Sequence, residues 1–142
     1  MANVVATAGI DIAAPAARVW RALTEPDIIK RYFFGTTVET NWQPGSSIVW
    51  RGEYSGTKYE DKGKVLEVTP ERLLKVTHFS PLTGQPDIPE NYHTVAFELE
   101  EREGGTHVSL SQDNNHDDAE AEHASQNWRM VLDGLKQTVE EG

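Results

Sequence analysis

The chain contains no cysteine. That excludes a disulfide framework, a thiolate nucleophile and any zinc or iron–sulfur centre held through sulfur. Positive charge is scarce as well: 13 Lys and Arg stand against 23 Asp and Glu in 142 residues, a formal net charge of -10. A field of that sign repels phosphate backbones and anionic headgroups, so neither nucleic acid nor an acidic membrane surface is an expected partner. No apolar run approaches the roughly 20 residues of a membrane span, and Met1 to Ile10 lacks the basic stretch and apolar core of a signal peptide. The expectation is a cytoplasmic protein with no membrane insertion. Repeats, low-complexity tracts and linker-like composition are also missing, so residues 1–142 read as one domain.

What is present is periodic pattern. From Ala124 to Val139 the residues Ala124, Trp128, Val131, Leu132, Leu135 and Val139 recur at steps of three and four, which draws one apolar stripe along a helix. Asp117, Asp118 and Glu120 precede it, where a helix amino terminus favours negative charge. At the other end of the chain, Val4 to Ile12 reads as a strand. Pro15 to Leu23 reads as a short helix halted by Thr24-Glu25-Pro26, and Asp27 is the N-cap candidate for a second, aromatic helix that runs through Tyr32-Phe33-Phe34 to Gly35.

Between these ends lie alternating segments separated by turns at Pro44-Gly45, Ser55-Gly56, Pro70-Glu71 and Gly104-Gly105. In Ser47 to Tyr54 the charged Arg51 and Glu53 share one face, which turns Ile48, Trp50, Gly52 and Tyr54 inward. The same parity turns Val65, then Leu74, Val76 and His78, then Val95, Phe97 and Leu99, then Val108, Leu110 and Gln112 to the inner face. Ser80 to Glu90, with three prolines, is a loop of a length that suits a lid or a surface excursion. The fold class is therefore α+β: a curved antiparallel sheet of about six or seven strands wrapped around a long C-terminal helix, with two short helices after the first strand.

Several local motifs resemble one family in the same order along the chain. Ile12 to Trp20, with Pro15 and Val19-Trp20, followed by Thr24-Glu25-Pro26-Asp27, is similar to the amino-terminal signature of the homologues of the activator of the heat-shock protein 90 ATPase. Lys62 to Val68 with Pro70 and Arg72-Leu73, then Gly105-Thr106 with Val108 and Leu110, resemble its hairpin and its last strand. Asn127-Trp128 through Leu132, Leu135 and Lys136 resembles its closing helix. Many relatives carry a tryptophan after the second helix; this chain has Tyr32, Phe33 and Phe34 there, keeping aromatic bulk. The resemblance implies a START-like, helix-grip fold, a scaffold that hosts ligand carriers, cyclases and cochaperone domains.

On such a scaffold Phe33, Trp50, Tyr54, Phe97, Trp128 and Leu132 are candidates to line an apolar cavity, or else they fill the core. His78, beside Leu74 and Val76, is the candidate to orient a ligand hydroxyl or carbonyl. His116, Glu120 and His123 share helical spacing but sit among carboxylates like a solvated helix start, and no metal is expected. Nor is a cofactor: Gly104-Gly105 lacks the lysine and helix of a phosphate loop. Ser109 and His107 face outward by parity and form no triad, so no catalytic residue is assigned. The leading expectation is a non-catalytic protein holding a small hydrophobic or amphipathic ligand. The alternative is a cochaperone-like domain that stimulates the ATPase of heat-shock protein 90; a third is a cyclase or hydrolase using His78, with Tyr54 or Gln112, in the same cavity.

Overall fold

The computed structural model describes residues 4–33, 35–54, 56–81 and 84–141. Phe34, Ser55, Leu82 and Thr83, assigned above to the second helix, a turn and the proline-rich loop, lie outside the described residues. Within them the chain forms strands β1 (Val4–Ile12), β2 (Thr37–Glu39), β3 (Ser47–Tyr54), β4 (Thr57–Thr69), β5 (Leu73–His78), β6 (His93–Arg102) and β7 (Gly105–Asn115). The helices are α1 (Ala16–Thr24), α2 (Pro26–Tyr32) and α3 (Asp118–Glu141). The strands make one antiparallel sheet in the order β1-β7-β6-β5-β4-β3-β2, and α3 lies against its concave face, chiefly along β1. This is the expected α+β helix-grip arrangement.

Alternation put the core where parity predicts it. Ile48, Val65, Leu74, Val76, Val95, Phe97, Leu99, Val108 and Leu110 are all buried, and Leu132, Leu135 and Val139 of α3 join them in one core cluster. Register shifts in β1 between Val4 and Ala6 and in β4 between Val65 and Glu67 mark irregularities of the kind that bend a sheet around a helix. α2 begins two residues earlier than an Asp27 cap suggests: Pro26 takes the first turn and Glu25 is the N-cap, because proline's fixed φ suits that position. The three-residue β2 has no signature in the sequence, since so short a strand carries no legible alternation. α3 starts at Asp118, a turn and a half before the apolar stripe, where the Glu120 N–H donates to Asp117 Oδ1 at 2.8 Å and its carboxylate accepts from the His116 N–H.

Two close approaches need glycine. A Cβ on Gly105 would lie 2.1 Å from the Ile12 carbonyl oxygen where β7 meets β1. One on Gly63 would lie 1.8 Å from the Thr77 carbonyl oxygen, where β4 meets β5.

Candidate functional site

Three neighbouring strands build one side of the site. Trp50 on β3 pairs directly with Asp61 on β4. Val65 pairs with Val76 and Lys62 bridges Phe79, so Gly63 stands opposite His78 and Asp61 lies diagonally from it on the same inner face. With no side chain at Gly63 between them, His78 Nε2 and Asp61 Oδ2 approach to 2.9 Å. The imidazole stands edge-on to Trp50 with ring centroids 4.9 Å apart. Both partners are largely shielded, their side chains 29% and 16% exposed. Asp61 Oδ1 is buried and accepts no hydrogen bond among the described residues.

The opposite side comes from α2, α3 and β6. Phe33 caps the C-terminus of α2, its N–H donating to the Ile29 carbonyl at 2.9 Å. Its ring meets Trp128 of α3 edge-on at 5.9 Å, and Trp128 meets Phe97 of β6 the same way at 6.0 Å. Tyr32 donates its hydroxyl to the Ala22 carbonyl at 2.7 Å, and desolvation pushes its ionisation above the ordinary tyrosine range.

A cavity of about 220 Å³ lies between these two sides. Phe33, Trp50, His78, Phe97 and Trp128 line it, as do Tyr32, Trp42 and Asp61, over a floor of aliphatic residues that includes Ile29, Val38, Ile48, Leu74, Val76 and Val95. Of the seven residues singled out from the sequence, five are thus brought together. Leu132 is not on the wall: it is 1% exposed and packed in the core, because it lies four residues beyond Trp128 on the stripe, over the filled part of the sheet. The side chain of Tyr54 lies outside the described residues.

Asp61, Tyr32 and Trp42 join the wall without having been read as site residues. For Asp61 a signal existed, since it shares the parity of Val65 four residues on, but its charged neighbours Glu60 and Lys62 disguised that face. Trp42 had none. It lies in the β2–β3 connection with φ at 59°, a left-handed conformation that costs a bulky residue of order 1 kcal/mol or more. That backbone turn places it on the cavity wall.

Other candidate chemistry is dispersed. His107 Nδ1 bonds Asp11 Oδ1 at 2.7 Å on the outer face, which holds the Asp11 carboxyl below the usual range, and no hydrolytic triad forms with Ser109. No cluster of three metal-ligating side chains occurs among the described residues. The loop after β5 contributes none of the cavity wall among its described residues; Asp87 pairs with Lys62 and accepts from the Tyr92 hydroxyl, and Phe79 stacks on Tyr92 at 5.1 Å. No helix among the described residues is long and apolar enough to cross a membrane.

Comparison with solved structures returns the same architecture. The chain is 47% identical to a protein from Cytophaga hutchinsonii whose solution structure superposes with a TM-score of 0.86, covering 99% of this chain and 97% of that one. The solution structure of the Aha1 dimer from Colwellia psychrerythraea shares the fold at 23% identity, 96% coverage of both chains and a TM-score of 0.75. So does the crystal structure of CalU16 from Micromonospora echinospora, at 21% identity, 98% and 87% coverage and a TM-score of 0.74. No curated protein matches the sequence. The profile of the family described as Activator of Hsp90 ATPase homolog 1-like protein matches residues 13–140. With nine-tenths of its length inside that profile, the chain belongs to this family.

Proposed function

We propose that the protein is a non-catalytic binding protein whose cavity between sheet and α3 takes a small hydrophobic or amphipathic molecule. The observation that carries this reading is the space of about 220 Å³ walled by six aromatic side chains. A packed core of this composition leaves few voids larger than a water molecule. An apolar cavity of roughly 150 Å³ is enough to hold a benzene-sized guest, so this one suits a compact ligand. Burying ~200 Å² of its apolar surface contributes about 5 kcal/mol of gross transfer free energy before the entropy of association is subtracted. Micromolar affinity is the scale expected.

The test is an amide- and indole-resolved NMR titration with fatty acids, sterols, flavonoids and polycyclic aromatics. Saturable shifts at Trp50, His78, Phe97 and Trp128 support the reading. A panel that leaves all four unmoved rejects it.

Family membership favours a second reading, a cochaperone-like domain acting on heat-shock protein 90. The formal charge of -10 suits association with a basic patch on such a partner. A coupled assay of the chaperone's ATPase decides it, and an unchanged rate at saturating protein counts against it.

A further inference from the structure

The cavity is apolar except at one end, and that end is asymmetric. Asp61 spends one carboxylate oxygen on His78 and leaves the other, Oδ1, buried without a protein donor among the described residues. An ionised carboxylate can only accept hydrogen bonds. A buried acceptor left unpaired costs free energy that any donor brought to it recovers, and bonds to charged groups are the stronger class. His78, the titratable side chain bonded to Asp61 at this end of the cavity, is already engaged with it. The nearest lysine in sequence, Lys62, points to the other face of β4 and is paired with Asp87. Among the described residues, no group on the cavity wall is therefore placed to balance a second negative charge.

Taking the cavity as a ligand site, as proposed above, we propose that it selects a compact aromatic molecule bearing a hydrogen-bond donor, a hydroxyl or protonated amine directed at Asp61, and discriminates against carboxylate-bearing ligands. Trp50, paired across from Asp61, supplies a ring beside the donor position, and Phe33, Phe97 and Trp128 surround the far end with ring edges and faces. A volume of about 220 Å³ matches a guest of two fused rings and is too small for a sterol or a long acyl chain. Fatty acids fail on both counts, size and charge.

The experiment is calorimetric titration of the wild-type protein at neutral pH with three probes of one shape: 2-naphthol, naphthalene and 2-naphthoate. The expected order is 2-naphthol tightest, by about tenfold or more over naphthalene, and 2-naphthoate weakest. In Asp61→Leu the advantage of 2-naphthol over naphthalene disappears while naphthalene itself still binds. Should the leucine variant not fold, Asp61→Asn, which keeps the volume but drops the charge, is expected to bind 2-naphthoate about tenfold more tightly than wild type does. Equal affinities of the wild type for 2-naphthol and naphthalene, an advantage that survives Asp61→Leu, or no gain for 2-naphthoate in Asp61→Asn each overturn this inference and leave the cavity reading standing. Failure of all three probes to bind overturns both.

Discussion

The indole Nε1–H of Trp128 on α3 donates to Oε1 of Gln112 on β7 at 2.7 Å. Gln112 is itself held by its amide nitrogen, 3.2 Å from Asn115 Oδ1, and Asn115, fully buried, donates onward to the Val4 and Gln112 carbonyls at 2.9 Å. This polar chain thus sets the tilt of an aromatic ring in the cavity wall. The indole meets this chain with its polar edge and Phe33 and Phe97 with the rest of the ring.

Trp128→Phe is expected to cost about 1 kcal/mol, the worth of one hydrogen bond, and Trp128→Ala about 2 to 3 kcal/mol. The alanine value lies toward the low end for a tryptophan because the ring is half-buried and already borders empty space. Urea unfolding of the three proteins measures both. A loss above 5 kcal/mol for alanine, on the order of a fully packed tryptophan, would show that the ring is not at a cavity wall.

Gly63→Ala is expected to destabilise by about 2 to 3 kcal/mol, since its methyl group would overlap the backbone of β5 rather than a movable side chain. Because Gly63 lets Asp61 reach His78, the variant should also move the His78 imidazole resonances in NMR spectra. Unchanged stability together with unchanged His78 signals would contradict the close strand approach.

Tyr32→Phe removes the bond to the Ala22 carbonyl that ties α2 to α1, at a cost of about 1 kcal/mol by chemical denaturation. Burial raises the folded-state ionisation of this phenol, so its contribution is complete below the ordinary value of 10.0 and is lost as pH rises beyond it. The stability difference between wild type and Tyr32→Phe should therefore depend on pH on the alkaline side. An offset constant to the point of alkaline unfolding would refute the shift.

Glu140 accepts from the Ala13 N–H at 2.8 Å and from Lys136 Nζ at 2.6 Å, contacts that hold its carboxyl below the usual range. A depressed carboxyl stabilises the fold above its unfolded-state value, and that contribution fades as pH falls through the lower folded-state value. Thermal melts of Glu140→Gln should accordingly fall below those of wild type at neutral pH and converge with them in acid. A gap that persists to the lowest pH at which both fold would argue against this role.

How far the sequence alone carries depends on the range of the interaction. The stripe Val131, Leu132, Leu135 and Val139 and the inward sets on β3, β5, β6 and β7 are local periodicities, and each was legible because one face of a helix or strand must leave water. β2 and the backbone turn at Trp42 were not, because three residues and one left-handed φ leave no repeating pattern. Asp61 fell between, its parity correct but its neighbourhood charged.

The sequence by itself determined which residues turn inward and in what order the elements follow, since hydrophobic burial acts on each segment's own period. Only the tertiary structure decided that Trp50, Asp61 and His78 meet across three strands, that Leu132 fills the core while Trp128 four residues away borders a void, and that the void exists at all. Those outcomes depend on register, sheet curvature and the fit of side chains from distant segments. Such volumes add up only in three dimensions.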